Sequence, residues 1–283
     1  MSDRSWYFRL RRLWSKAWEA VPWARRLVND LGRIELVDRS TALGAQALLA
    51  LIPLMMSLGV LAPTTWSSGI VDQVREVIGV RDETMRPLQD AVMSNALAHT
   101  ETGYASLVIG ILSASSFSRA MQRMYVRAWD LPKRTGLRAI GVGILWLVGW
   151  LAMLQIAAAL VQSISGIAQA HLFHLILHAV FQTLLWWWTA RLLLDRRISW
   201  SRLLPGAVLT GISIVALAQV SRLFMPAFTS ANLAQFGPLG VVFSIGSWLV
   251  ILGGVLVVAA VIGRLVSDLW QPRLVARTKG AGM

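Results

Sequence analysis

Serines, arginines and histidines are the side chains whose spacing in this chain suggests chemistry. The run Ser113-Ala114-Ser115-Ser116-Phe117-Ser118 places small hydroxyls on an apolar segment, and Arg119 and Arg123 follow Ser115 and Ser116 at helical spacing. Small hydroxyl residues let helices approach closely and hydrogen-bond to each other, so helix packing is the simpler reading. The sharper reading is a polar stripe along a substrate path that ends at two guanidinium groups. A guanidinium fork fits a phosphate bidentately, so Ser115, Ser116, Arg119 and Arg123 are candidates for a substrate path or a lipid-phosphate contact. Snorkelling of both arginines to anionic headgroups is the competing account.

Arg222 stands alone in a later apolar segment. It lies 19 steps from Leu203, or about 28 Å of helix, which places it near the outer membrane interface. A cation there is by default a functional candidate, again for a lipid phosphate or another anion, with snorkelling as the simpler alternative. His171, His174 and His178 recur at i, i+3 and i+7 and share one helical face. Such spacing can present imidazoles to a metal ion or form a pH-responsive patch. No carboxylate lies in that helix and no His-Glu-x-x-His pattern occurs. Packed or interfacial histidines are therefore the simpler reading, and no cofactor is expected.

The elements that must position these residues follow from composition. Of 283 residues, 56% are hydrophobic and 14% charged, and none is cysteine. Mean hydropathy is +0.59. A soluble domain is nearer one-quarter charged. The chain reads as an integral membrane protein, and thiol catalysis, disulfides and iron–sulfur ligation are excluded. The net charge of +13 fits basic cytoplasmic loops against anionic lipid rather than nucleic-acid binding.

Six apolar runs approach the roughly 20 residues that a membrane-spanning helix needs. They cover about Thr41–Ala62, Thr102–Arg119, Leu137–Ser163, His171–Ala190, Leu203–Met225 and Phe236–Gly263. Residues 1–39 carry nine basic and five acidic side chains, residues 63–101 three and six, and residues 119–138 six and one. Residues 191–202 and 264–283 each carry four basic and one acidic, while 164–170 and 226–235 carry no charge. Basic segments alternate with acidic or uncharged ones, so the positive-inside rule puts both termini in the cytoplasm. The expected fold is all-α and polytopic, with six transmembrane helices. Residues 1–39 form a cytoplasmic segment, 40–266 the membrane domain with an external loop at 63–101, and 267–283 a basic cytoplasmic tail.

Trp6, Leu10, Leu13, Trp14, Trp18 and Val21 predict an amphipathic N-terminal helix on the membrane surface, with a helix packed under the membrane domain as the simpler alternative. No apolar stretch of 7–15 residues precedes the first span, so a signal peptide is not expected there. Pro53 is expected to kink the first span, and Pro205 to sit at a helix start, where proline is tolerated. Gly206, Gly237 and Gly240 are helix-shaping candidates. Gly240 with Ser244, and Ala207 with Gly211, form small-xxx-small pairs suited to close helix contacts.

Four stretches carry a resemblance. They are Leu49-Ala50-Leu51-Ile52-Pro53-Leu54, the serine run leading into Arg119-Ala120-Met121-Gln122-Arg123-Met124-Tyr125, Ile198 to Ala207, and Phe236-Gly237-Pro238-Leu239-Gly240 with Trp248 beyond. In this order and spacing the chain resembles the YihY/BrkB family of bacterial inner-membrane proteins over roughly residues 35 to 265. The resemblance implies a multi-pass inner-membrane protein of six helices. Members of the family were once labelled ribonuclease BN, and others are named for serum resistance or discussed in lipid or lipopolysaccharide export. The family has aromatic residues before the first-span proline, where this chain has Gln46 and Ala47. It ends the sixth span with Gly-Ala-Glu-x-Asn, where this chain reads Ala259-Ala260-Val261-Ile262-Gly263, so no role of that glutamate carries over.

The functional expectation is a transporter or flippase-like export protein for a lipid-linked or anionic amphiphile. The alternative is a non-transporting scaffold or envelope-assembly factor. An enzyme, and a ribonuclease in particular, is not expected, because metal nucleases need clustered carboxylates. The densest acidic group here (Asp72, Glu76, Asp82, Glu83, Asp90) falls in the external loop. Expected partners are membrane lipids with anionic headgroups and no nucleic acid, with a homo-oligomer or an envelope partner left open.

Overall fold

The computed structural model describes residues 22–61, 101–132, 141–150, 152, 153, 156 and 171–270. Among them are seven helices and no strand. They are α1 (Pro22–Ile34), α2 (Leu36–Leu61), α3 (Glu101–Ala128), α4 (Gly141–Trp150), α5 (His171–Leu193), α6 (Trp200–Phe236) and α7 (Pro238–Trp270). Both α6 and α7 are long and apolar enough to cross a membrane. The stripe from Trp6 to Val21, residues 62–100 with the expected external loop and His99, and the tail beyond Trp270 lie outside the described residues.

Three expected boundaries need correction. The second apolar helix does not end near Arg119. It continues to Ala128, so the basic residues Arg119, Arg123 and Arg127 are helical rather than in a loop. The fifth does not end at Met225. It runs through Pro226 to Phe236, so the uncharged stretch 226–235 is helix and not a connection. Pro205 is also not at the first helical position. The helix starts five residues earlier, at Trp200, with Ser199 in extended conformation before it. α2 includes Pro53 as part of one helix.

Packing explains why α6 is so long. Leu203, Ala207, Thr210, Ile214, Ala218, Ser221, Met225, Thr229 and Asn232 are all buried. Their spacing of three and four residues draws one stripe from Leu203 to Asn232 along the 37-residue helix, which is about 55 Å long. The closest helix pairings run α3–α2–α7–α6–α5. α4 bridges the ends of that series. A Cβ on Gly143 would stand 2.7 Å from Ser118 Oγ of α3, and the ring of Phe117 lies 5.9 Å from that of Trp146. Trp146 and Trp150 of α4 both hydrogen-bond Thr189 of α5. The six helices therefore close into a ring. Its interior is filled at one end by Met121, Met124, Trp146, Trp186, Val257 and Val261 among others.

The same end carries the charged ties between helices. Arg33 bonds Asp130 at 2.9 Å, Arg202 bonds Asp268 at 2.9 Å, and Arg264 donates to the Ala128 carbonyl at 3.2 Å. Arg197 donates to the Pro132 carbonyl at 2.9 Å, and Arg191 caps the turn by donating to the carbonyls of Arg196 and Ile198. α1 joins this end through Leu27, Leu31 and the fully buried Ile34, which pack on the core. At the opposite end Gly237, with φ +59, turns α6 into α7, and its N–H bonds the Leu233 carbonyl at 2.8 Å. Glycine adopts that left-handed geometry without the clash a Cβ brings.

Candidate functional site

Ser115, Arg119, Arg123 and Arg127 follow one another at four-residue steps along α3, so they form one ridge. The lowest member is compensated. Arg127 donates to the Arg33 carbonyl at 3.2 Å and lies 3.9 Å from the Glu35 carboxylate. The same carboxylate takes Arg39 of α2 at 3.4 Å. Glu35 thus ties Arg127 of α3 to Arg39 of α2 and serves two cations with one charge. Higher on the ridge, Arg119 and Arg123 are exposed, and among the described residues neither comes within ion-pair distance of a carboxylate.

Among the described residues, α2 and α3 hold buried polar atoms without partners. Arg39 Nε, Gln46 Oε1 and Ser118 Oγ are buried and have no hydrogen-bond partner. Ser115 and Ser116 are half-buried, whereas Ser118 is fully buried against α4. The serine run therefore divides by face. Ser115 belongs to the arginine ridge and Ser118 to the α3–α4 contact. The sequence pointed to Arg119 and Arg123 but not to Arg39, which was counted as a loop charge. Its only sequence signal was a lone basic residue at the very start of an apolar run.

The remaining candidates are dispersed. Arg222 is exposed on α6 and donates to Gln219 Oε1 at 3.5 Å. It is followed by fourteen more helical residues, so it does not mark the helix end. Pro226 has no N–H to give the Arg222 carbonyl four residues back. Inward from Arg222 lies a polar seam between α6 and α7. Trp248 Nε1 donates to Ser221 Oγ at 2.6 Å, Asn232 Nδ2 donates to Ser244 Oγ at 2.9 Å, and Ser244 donates to the Gly240 carbonyl at 2.8 Å. Gly240 packs so tightly on the Asn232 carbonyl that a Cβ would collide with it. Gly206 faces Gly263, where a Cβ on Gly206 would stand 3.3 Å from the Gly263 Cα. His178 Nε2 pairs with Gln182 Nε2 at 3.1 Å, and the side chains of His171 and His174 lie outside the described residues. Among the described residues, no three His, Asp or Glu side chains come together to hold a metal ion.

A small cavity lies inside the ring, lined by Tyr125, Trp129, Trp186, Gly206, Thr210 and Ala260 among others. Its volume of ≈ 10 Å³, counted as space for the centre of a water molecule, matches about one water. Trp186 Nε1 is buried there and has no hydrogen-bond partner among the described residues.

The chain belongs to the family described as "Virulence factor BrkB", whose family model matches residues 27–280. No curated protein and no solved structure matches it. Membership agrees with the apolar composition and with two helices of membrane-spanning length, and the protein is a membrane protein of this family.

Proposed function

We propose that this BrkB-family chain is a six-span protein of the bacterial inner membrane with both termini in the cytoplasm. In this reading it handles a lipid-linked or anionic amphiphile, moving it as a transporter or flippase-like export protein without catalysis of its own. The observation that carries the reading is the α3 ridge, where Arg119 and Arg123 are exposed and, among the described residues, have no carboxylate within ion-pair distance. A cation within or beside the hydrocarbon must be compensated. An anionic headgroup drawn along the ridge past Ser115 supplies that compensation. The basic end of the ring, with its arginine ties, faces the cytoplasm by the positive-inside rule. No nucleotide-binding glycine loop occurs in the sequence. An ion gradient or a partner would therefore drive active movement.

A second reading has its own support. The ring is packed solid at the basic end, and its cavity there has room for one water. This favours a non-transporting scaffold, or an amphiphile that moves along the outside of α3 rather than through the centre. Purified full-length protein in liposomes containing a fluorescent anionic lipid separates the cases. Transport predicts faster loss of the inner-leaflet lipid's protection from a membrane-impermeant quencher added outside, slowed by Arg119→Gln. A rate equal to that of empty liposomes, with and without an imposed ion gradient, sinks the transport reading.

A further inference from the structure

The arrangement around Glu35 specifies more than a general liking for anions. Four arginines converge on one short stretch of the α2–α3 pair: Arg39, Arg119, Arg123 and Arg127. Among the described residues one carboxylate, Glu35, serves them, and it is taken up by Arg39 at 3.4 Å and Arg127 at 3.9 Å. Arg127 is further held by the Arg33 carbonyl. The two upper arginines stand one helical turn apart, so their guanidinium groups can reach one small anion together. Among the described residues the buried Nε of Arg39 has no partner. Glu35, shared with Arg127, brings Arg39 to the foot of the ridge, one helical turn below Arg123.

We infer that Arg119, Arg123 and Arg39 form one phosphate site between α2 and α3, and that its ligand is a phosphomonoester dianion. The charge count decides between phosphate classes. Four cations and one carboxylate leave an excess of three positive charges. A phosphodiester headgroup carries one negative charge and leaves two cations facing each other at close range. A phosphomonoester carries about −1.5 to −2 at neutral pH and offers three acceptor oxygens, enough for two bidentate forks and a third donor. The site is open on the exposed side of α3, so a lipid with a monoester headgroup in the cytoplasmic leaflet can enter laterally. A soluble phosphomonoester or inorganic phosphate has the same chemistry. The inference rests on the reading of these arginines as the headgroup contact of a lipid-handling membrane protein. It does not require the lipid to be moved.

Native mass spectrometry of the full chain tests it, with phosphatidic acid and phosphatidylglycerol of identical acyl chains offered at equal amounts. The expected result is preferential retention of phosphatidic acid. Arg119→Gln with Arg123→Gln removes the preference, a loss on the order of tenfold in relative binding. Arg39→Gln weakens it by a smaller factor, and Arg119→Lys retains part of it, because charge remains but the planar fork is lost. Thermal unfolding of each variant without added lipid identifies those that fold as the parent does. If the double glutamine variant is unstable, the single Arg39→Gln and Arg119→Lys variants carry the test. Equal retention of the two lipids, or an undiminished preference in folded variants, overturns the inference. Displacement of phosphatidic acid by inorganic phosphate supports the site and assigns its ligand to the solute. Failure of inorganic phosphate to compete, with the lipid preference intact, supports the site and assigns it to the lipid. Selective binding without any transport in liposomes would keep this inference and remove the transport reading.

Discussion

The indole N–H of Trp248 on α7 donates to the Ser221 hydroxyl on α6 at 2.6 Å, and both residues are buried. The bond joins the two longest helices at mid-length. Ser221→Ala leaves a buried indole N–H without an acceptor, which costs about 1–3 kcal/mol. Thermal unfolding of the detergent-solubilised protein should show this as a lowered midpoint. Adding Trp248→Phe removes the stranded donor, so the double variant should lose less than the two single losses combined. Additive losses would show that the bond contributes nothing.

The extent of α6 shows what the sequence could and could not reveal. The sequence marks Gly237 only as helix-shaping, just inside the sixth apolar run; the structure puts the turn at that glycine, which accepts φ +59 easily. The stretch from Pro226 to Gln235 was not legible as helix. It contains a proline, two hydroxyl residues and an asparagine, all of which favour turns locally. Tertiary packing overrides this. Thr229 and Asn232 continue the buried stripe, and Asn232 finds Ser244 across the helix pair. The arginine ridge was half-legible for a related reason. Four-residue spacing shows that Arg119 and Arg123 share a face, but nothing in the sequence shows that α3, which follows residues 62–100, brings that face back beside Arg39. That follows only from the pairing of α2 with α3.

Thr189 on α5 accepts two indole N–H groups, from Trp146 at 3.3 Å and Trp150 at 3.1 Å. Thr189 is fully buried, so water cannot replace its hydroxyl. Thr189→Val keeps the shape and strands both donors, a loss of about 1–3 kcal/mol for each. Thr189→Ser keeps the acceptor and should stay much closer to the parent. Quenching of tryptophan fluorescence by a lipid-soluble quencher gives a second readout, since loosening of α4 exposes its indoles. Equal stability of the Val and Ser variants would mean that packing alone holds α4 in the ring.

The crossing of α6 and α7 at Gly206 and Gly263 leaves no space for a side chain. A Cβ on Gly263 would collide with the Gly206 backbone, and backbone cannot move aside as a flexible side chain can. Gly263→Ala should destabilise the protein by about 1–3 kcal/mol, within the range seen for overpacked cores. Gly32→Ala is the control, because nothing lies within 4 Å of a Cβ there. In the α1 helix alanine should be neutral or slightly stabilising. Similar unfolding midpoints for both variants would place the α6–α7 contact elsewhere.

The proposed topology makes opposite predictions for the two ends of α6. Its start lies at the end rich in arginine ties, next to the exposed Ser199. Its finish lies near the exposed Gln235, just before the Gly237 turn. Positive charge retained at the first end argues that it faces the cytoplasm. The chain has no cysteine, so a single introduced thiol reports one position without background. In intact cells a membrane-impermeant maleimide should label Gln235→Cys and spare Ser199→Cys. In inverted vesicles the pattern should reverse. A cysteine at position 85, in the segment read as the external loop, should follow Gln235→Cys, because an even number of spans separates the two. Labelling of Ser199→Cys and Gln235→Cys from the same side would show that α6 does not cross the membrane. Opposite labelling of position 85 and Gln235→Cys would break the even count and with it the six-span arrangement.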